Sequence, residues 1–324
     1  MKNSTVYRRN SQHSRFKIAV AASVAAVPEG LPIVVTITMA IGISRMAKRN
    51  AIIRKLPAVE TLGSTTVICS DKTGTLTKNE MTVKAIYDGH HSYEVTGSGY
   101  DPKGEILHDW EPCDPSALNG LCGVARIGML CNESNLYEEN GQLKVDGDPT
   151  EGALIVSALK VGLVPDEEKK QFPQLSILPF ESDRGFMATL HQHDGRKTIF
   201  VKGAPERVVE MCSRSSSGDF LDKKKVLETA EHFARDGMRV LAMAYKEASD
   251  DLSELTHEYV EKDLVFTGTQ GMIDPPRPEA IDAVRGCHEA GIRVAMITGD
   301  HAVTASAIGK MMGITQKDSQ VLTG

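Results

Sequence analysis

Between Ile18 and Ile43 the chain carries a single charged side chain, Glu29, in an otherwise apolar run. As a helix those 26 residues would rise about 39 Å, enough to cross about 30 Å of hydrocarbon with some tilt. The pattern predicts a transmembrane helix over residues 16–47, broken at Pro28–Pro32. A cleaved signal peptide is the rival reading, because Lys2, Arg8, Arg9, Arg15 and Lys17 precede a short apolar run ending in small residues. Against it, the apolar residues resume after Pro28-Glu29-Gly30-Leu31-Pro32 and continue through Ile33–Ile37. Arg45, Lys48, Arg49, Arg54 and Lys55 match the upstream charges, so the charge bias sets no orientation.

Further on, Thr66-Val67-Ile68-Cys69 has the pattern of a short buried strand and runs straight into Ser70-Asp71-Lys72-Thr73-Gly74-Thr75. From Pro278 to Ala290, Ala280, Ile281, Val284 and Cys287 share one helical face, with Pro at the start and Gly291 as the stop. Arg293–Ile297 then reads as a second buried strand, ending in Thr298-Gly299-Asp300, and Thr304–Met312 as a second helix. This is the βαβ grammar of a parallel sheet, in which ligands bind at the carboxyl ends of strands. About 180 residues of different character lie between these pieces, with alternating stretches at Gly185–His191 and Lys197–Val201. They predict an inserted α+β domain, with Arg214–Asp219 as a surface loop.

A length of 324 residues suits about two domains, and 41% hydrophobic with 25% charged residues excludes disorder, a coiled coil or a polytopic membrane protein for the whole chain. The net charge of -6 argues against nucleic acid as a partner. Six cysteines without a CxxC pair form neither a disulfide scaffold nor a zinc site, and read as reduced.

Asp71, at a strand end and followed by Lys72, hydroxyl residues and Gly74, suits a carboxylate nucleophile that accepts a phosphoryl group, with Lys72 and backbone N–H groups holding the oxygens. The ordinary alternative is an Asp in a turn. The seven-residue run Asp71-Lys72-Thr73-Gly74-Thr75-Leu76-Thr77, however, resembles the phosphorylation signature of the P-type ATPases. The resemblance continues in order along the chain. Phe16–Ala21 and Val27–Pro32 are similar to the fourth transmembrane helix of the type II calcium pumps, and Arg45–Lys48, Leu56-Pro57 and Val59–Gly63 to the stalk that follows. Gly147–Leu154, Pro179-Phe180 and Lys202–Glu206 resemble nucleotide-domain motifs; Asp274-Pro275-Pro276-Arg277 and Met296–Asp300 resemble the return into the phosphorylation domain.

The resemblance implies an α/β fold: one transmembrane helix, then a haloacid-dehalogenase-like Rossmannoid phosphorylation domain (48–85 and 266–324) interrupted by an α+β nucleotide-binding domain (86–265). It implies a cell-membrane protein with residues 1–15 extracytoplasmic and everything after the helix cytoplasmic. Its cofactors are ATP and Mg²⁺. Phe180 would stack on adenine, or simply pack in a core; Glu151 would bind the adenine amino group, or cap a helix. Lys202 and Gly203 would stand at the mouth of the ATP pocket, or Lys202 would be a solvated charge. Arg184 and Arg239 would reach phosphates, with a surface ion pair as the alternative for Arg239. Thr298, Gly299 and Asp300 would bind the phosphoryl group, and Asp71 and Thr73 would hold Mg²⁺.

One departure is Gly185, where many relatives place a basic residue, so one phosphate contact is expected to be lost. Phosphatases of the wider superfamily carry an Asp two residues after the nucleophile as general acid and base; Thr73 stands there instead, which disfavours a soluble phosphatase and suits a long-lived acyl phosphate. The sequence reaches Gly324 before a Gly-Asp-Gly-x-Asn-Asp stretch and contains no actuator Thr-Gly-Glu loop. A fragment of an ATP-driven cation pump is therefore expected, inactive alone, with the actuator domain and other membrane helices as its missing partners; the alternative is an ATP-binding module without turnover. Glu29 would bind the transported ion beside backbone carbonyls that Pro28, Gly30 and Pro32 free from helical pairing, or be a neutral acid in a kinked helix. Oxygen ligands and the absence of Cys-Pro-Cys favour a hard cation, Ca²⁺ before Na⁺.

Overall fold

The computed structural model describes residues 4–25, 30–300, 302–315 and 322. It divides into two units, residues 1–67 and 68–324, described in turn. In the first, α1 (Ser4–Ala25) and α2 (Leu31–Ala47) precede a short α3 (Pro57–Gly63) that starts on its proline and packs on α2.

The segment expected as a transmembrane helix over 16–47, broken at Pro28–Pro32, contains two helices, and the first starts earlier than expected. Residues 4–15, expected to lie outside the membrane, form the first turns of α1, which continues without a break to Ala25. Among the described residues no helix is long and apolar enough to cross a membrane. The 17 residues of α2 rise only about 25 Å, short of about 30 Å of hydrocarbon, and α1 carries Arg8, Arg9, Arg15 and Lys17. Pro28 and Glu29, which carried the ion-site expectation, lie outside the described residues.

In the second unit β1 (Val67–Asp71) leads through an irregular turn into a meander of β2 (Thr82–Tyr87), β3 (Ser92–Val95), β4 (Ile106–His108) and β5 (Glu111–Pro112). Helix α4 (Asn119–Leu130), a hairpin of β6 (Asn135–Glu139) and β7 (Gln142–Asp146), α5 (Pro149–Lys160) and α6 (Pro165–Gln171) follow. Next come β8 (Gln174–Glu181), β9 (Phe186–His193), β10 (Arg196–Gly203), α7 (Pro205–Met211), β11 (Cys212–Ser215), α8 (Lys223–Arg235), β12 (Arg239–Ala248), α9 (His257–Val260) and β13 (Leu264–Ile273). The unit closes with α10 (Pro278–Glu289), β14 (Arg293–Ile297) and α11 (Ala302–Met311). The helix and strand read at 278–290 and 293–297 thus form, and α11 starts two residues before the expected Thr304.

Nine strands run in the order β5-β4-β3-β2-β13-β12-β10-β9-β8, and β11 joins β13 in parallel to complete a ten-stranded sheet. The expected boundaries at 86 and 265 fall inside β2 and β13, which pair antiparallel (Gln270 with Ile86, Thr269 with Tyr87). Two apolar cores sandwich this sheet. Leu121, Val124, Leu154 and Ala158 of α4 and α5 pack with Val83, Ile86, Met187, Phe200 and Met243 on one face. Val208, Val226 and Phe233 of α7 and α8 pack with Phe186, Leu190, Ile199, Val201 and Phe266 on the other. Consequently β9 is buried at six consecutive positions and does not alternate between core and water as its pattern suggested. In α8, by contrast, Val226, Ala230 and Phe233 make one buried stripe behind an Asp222 cap that accepts from the Lys225 N–H at 3.0 Å.

A third core, Leu76, Ile273, Val284, Val294, Ile308 and Met312, lies where α10 and α11 meet the pair β1–β14. The strand expected to be buried at 66–69 is instead largely exposed, because β1 pairs only with β14 among the described residues and Val67 and Ile68 lie outside this core. The loop expected at Arg214–Asp219 begins as strand: Arg214 and Ser215 belong to β11, drawn into the sheet by the open edge-ward bonds of Leu264–Phe266.

Lys160, at the end of α5, donates to the Thr96 carbonyl at 2.7 Å. Burial, and then the neighbouring Lys84 charge, bring its ammonium from the ordinary 10.5 down to about 8, with Asp101 opposing. Between those values the unfolded chain binds more protons than the folded one, so stability rises with pH over that window. Urea titrations from about pH 8 to 10.5 should show this rise in the wild type and not in Lys160→Met; parallel curves for the two proteins would contradict the assignment.

Candidate functional site

The pairing of β1 with β14 brings two strand ends together. Asp71 closes β1 in extended conformation, and Gly74 at φ +71° turns the chain back toward Thr77. The buried Lys72 Nζ donates to Asp300 Oδ2 at 2.6 Å, and the Asp300 N–H donates to Thr298 Oγ1 at 3.1 Å. Asp71, Lys72, Thr73, Thr298, Gly299 and Asp300, 228 residues apart in sequence between Lys72 and Asp300, therefore share one locality with an exposed Asp71 carboxylate at its edge.

A latch that the sequence reading quoted as a motif but gave no role holds this loop from behind. Asp274, just past β13, accepts from Thr77 Oγ1 at 2.5 Å and from the Glu80 N–H at 3.3 Å. Arg277 donates through Nε to the Thr77 carbonyl at 2.9 Å and through Nη2 to the Gly74 carbonyl at 3.2 Å. Its backbone N–H donates to the Leu76 carbonyl at 2.9 Å. The signal available in the sequence was an acid and a base flanking Pro275-Pro276, where Pro276 bridges Thr77 and so brings Asp274 and Arg277 beside the loop.

The second group of residues gathers at the start of α5. Asp148 caps that helix, accepting from the Thr150 N–H at 2.7 Å, so Glu151 is free of the capping role. Glu151 Oε1 accepts from Lys202 Nζ at 2.6 Å, and its Oε2 accepts from Ser134 Oγ at 2.8 Å and the Glu133 N–H at 3.1 Å. Lys202, on β10, is buried and not the solvated charge considered as its alternative. Arg239, opening β12, donates to Thr150 Oγ1 at 3.3 Å. A chain of contacts thus joins Arg239, Thr150, Glu151 and Lys202.

Phe180 and Arg239 line one cleft of about 490 Å³ together with Gly185, Ala204, Leu241 and the α8 residue Ala230. Phe180 is 52% exposed, so it packs in no core and offers a ring face to this space. Gly203 must be glycine: a Cβ there would lie 2.4 Å from the Gly185 carbonyl oxygen, a backbone atom with no room to yield. Gly185 itself, at φ +72°, ends the β8–β9 turn in a left-handed conformation that glycine adopts without strain. Arg184 does not line the cleft; it is held by Glu181 at 3.1 Å and Glu261 at 2.7 Å.

Among the described residues no three His, Cys, Asp or Glu side chains converge as a metal site. The Asp71 carboxylate and Thr73 do fit Mg²⁺ of the kind that keeps waters and phosphate oxygens as its remaining ligands.

The mixed α/β unit with its edge cleft defines a class before it defines a protein: residues 121–279 match the family model described as P-type ATPase, cytoplasmic domain N. The chain is 53% identical over 95% of its length to the cation-transporting ATPase pma1 of Synechocystis. It is 43% identical over 98% to a probable cation-transporting ATPase F of Mycobacterium tuberculosis, and 39% identical over 98% to a calcium-transporting ATPase of Bacillus subtilis. The chain belongs to the P-type ATPase family. It spans about a third of the length of these relatives, 35 to 36%.

The latch makes a direct expectation. Arg277→Ala should raise amide hydrogen exchange across residues 72–77 by roughly fivefold, the loss of about 1 kcal/mol of local hydrogen bonding, while β9 and β10 exchange as before. Unchanged exchange in the loop would show that Arg277 does not hold it.

Proposed function

We propose that this chain is the nucleotide-handling and phosphoryl-accepting part of an ATP-driven cation pump. The observation that carries the reading is the Lys72–Asp300 contact at 2.6 Å, which gathers two strand-end motifs around Asp71. An Asp71 carboxylate oxygen attacks the γ-phosphorus of ATP, the bond to the bridging oxygen breaks, and ADP leaves. Lys72 and the backbone N–H groups of the Gly74 turn stabilise the transferring oxygens, and Thr298 and Asp300 orient them. Asp71 and Thr73 would hold Mg²⁺, which would supply charge neutralisation at the phosphates. No carboxylic acid stands at position 73 to activate water, which favours a persistent acyl phosphate over phosphatase turnover.

Adenine stacks on Phe180 in the cleft, with Arg239 toward the phosphates; Glu151 and Lys202, expected at the adenine amino group and at the pocket mouth, pair with each other and do not line this cleft. The nucleotide unit is best bounded by β2 and β13, with the phosphorylation half formed by 48–81 and 274–324. Most apolar residues of α1 from Phe16 onward and of α2 are exposed, which supports contact of this segment with a membrane; the cytoplasmic placement of the rest of the chain follows from the family. The names of the Bacillus subtilis and Lactococcus lactis relatives, calcium-transporting ATPases, support Ca²⁺ as cargo bound at Glu29.

Two experiments test this. Titration of the chain with ATP should show Phe180→Ala weakened by about 1–3 kcal/mol; equal affinity would remove the ring from the site. In a chimera carrying this segment in place of its counterpart in the Bacillus subtilis relative, Asp71→Asn should abolish hydroxylamine-sensitive labelling from γ-labelled ATP. In the same chimera Glu29→Gln should shift the Ca²⁺ dependence of labelling and leave ATP binding intact. Label surviving Asp71→Asn, or an unshifted Ca²⁺ dependence, would overturn the corresponding assignment.

A further inference from the structure

The cleft that receives the nucleotide in the reading above is poorly charged for a polyphosphate. Its own lining carries two carboxylates, Glu206 and Glu231, against one guanidinium, Arg239. Further cations are needed where the phosphate tail leaves, and the wall at Gly185 and Ala204 supplies no charged side chain.

Arg207 stands beside that wall. A Cβ placed at Gly185 would lie 3.8 Å from Ala204 Cβ and 3.9 Å from Arg207 Cβ, so Arg207 leaves α7 next to the point where a side chain at 185 would begin. Its guanidinium rests 5.9 Å from the Phe186 ring centroid, and its side chain is about one-third exposed, at 34%. Arg184 Nη1 donates to Glu261 Oε1 at 2.7 Å, and Arg207 Nη2 forms an ion pair with the same oxygen at 3.3 Å. The remaining partners are outlying: Glu210 for Arg207 at 3.3 Å and Glu181 for Arg184 at 3.1 Å, with His257 3.5 Å from Glu181. Part-exposed ion pairs of this kind hold a side chain in place with little net energy and exchange readily. A phosphate group offers a guanidinium a stronger, bidentate acceptor.

We propose that Arg207 is a phosphate ligand of the nucleotide cleft, supplying from α7 the positive charge that Gly185 cannot, and that Glu261 parks Arg207 and Arg184 at the rim until a polyphosphate displaces it. The inference rests on the reading of the cleft as an ATP site. An arginine that only tied α7 to α9 would affect stability and all ligands alike.

Calorimetric titration of the whole chain with ATP and with adenosine separates these cases. Arg207→Gln should weaken ATP roughly tenfold, the value of one charge-assisted contact, and leave adenosine within about twofold. Arg207→Lys should recover part of the loss. Glu261→Gln, which removes the charge the two guanidiniums share and leaves only their outlying partners, should tighten ATP by roughly two- to fivefold without changing adenosine. Unchanged ATP affinity in Arg207→Gln, or an equal loss for ATP and adenosine, would overturn the proposal. Phe180→Ala measured alongside keeps the two readings apart: if it weakens both ligands while Arg207→Gln is silent, the cleft stands and the arginine falls. If neither change alters ATP binding, the cleft itself is misassigned.

Discussion

Strand β13 has water on neither face, and the rest of residues 68–324 is arranged around that constraint. All ten of its residues are buried, with Phe266 in one core, Met272 in the other and Ile273 in the third. Burial of a strand on both sides requires a helical layer on each, so α4 and α5 must cover one face of the sheet and α7 and α8 the other. The same strand then hands the chain to Asp274, whose carboxylate takes the Thr77 hydroxyl. The apolar core and the loop that presents Asp71 are thus joined by one residue step, from Ile273 to Asp274.

The buried charges follow a related logic. Lys72 with Asp300, and Lys202 with Glu151, are ion pairs whose lysines are more than nine-tenths buried. Such pairs contribute little net stability, yet removing one partner leaves an uncompensated charge at a cost of about 3–5 kcal/mol. Their value lies in position: Lys72 registers two strand ends against each other, and Glu151 registers the start of α5 against β10. At the cleft rim the corresponding pairs are part-exposed, with Arg184 and Arg207 sharing Glu261, and are correspondingly easy to exchange.

Several features were legible from the residues alone because they depend on local chemistry. Pro278 and Gly291 bracket α10, Arg293–Ile297 is β14, and the run from Asp71 to Thr77 sits at a strand end, since caps, stops and short apolar runs act over a few residues. Where the pattern misled, the cause was a distant partner. Gly185–His191 was read as alternating, but α7 lies under one face of it and the α4–α5 layer over the other, a fact no window of eight residues contains. The apolar run after Phe16 was expected to form a membrane span broken at Pro28–Pro32; it gives α1 and α2 on either side of residues 26–29, and among the described residues neither helix meets the length and apolarity of a span.

The sequence by itself determined the family and the motifs that carry it: Asp71-Lys72-Thr73-Gly74 at one strand end, Thr298-Gly299-Asp300 at a second, and Phe180 with Lys202-Gly203 in the inserted domain. Only the tertiary structure decided which charges answer one another. Lys202 is turned inward to Glu151, Asp148 and not Glu151 caps α5, Asp274 and Arg277 hold the Asp71 loop, and Arg207 stands where Gly185 leaves space. The physical reason is that residue type and spacing specify what a group can bond, while the partner it does bond is set by sheet order and helix packing. Those bring together residues separated by 51 positions at Glu151–Lys202 and by 228 at Lys72–Asp300.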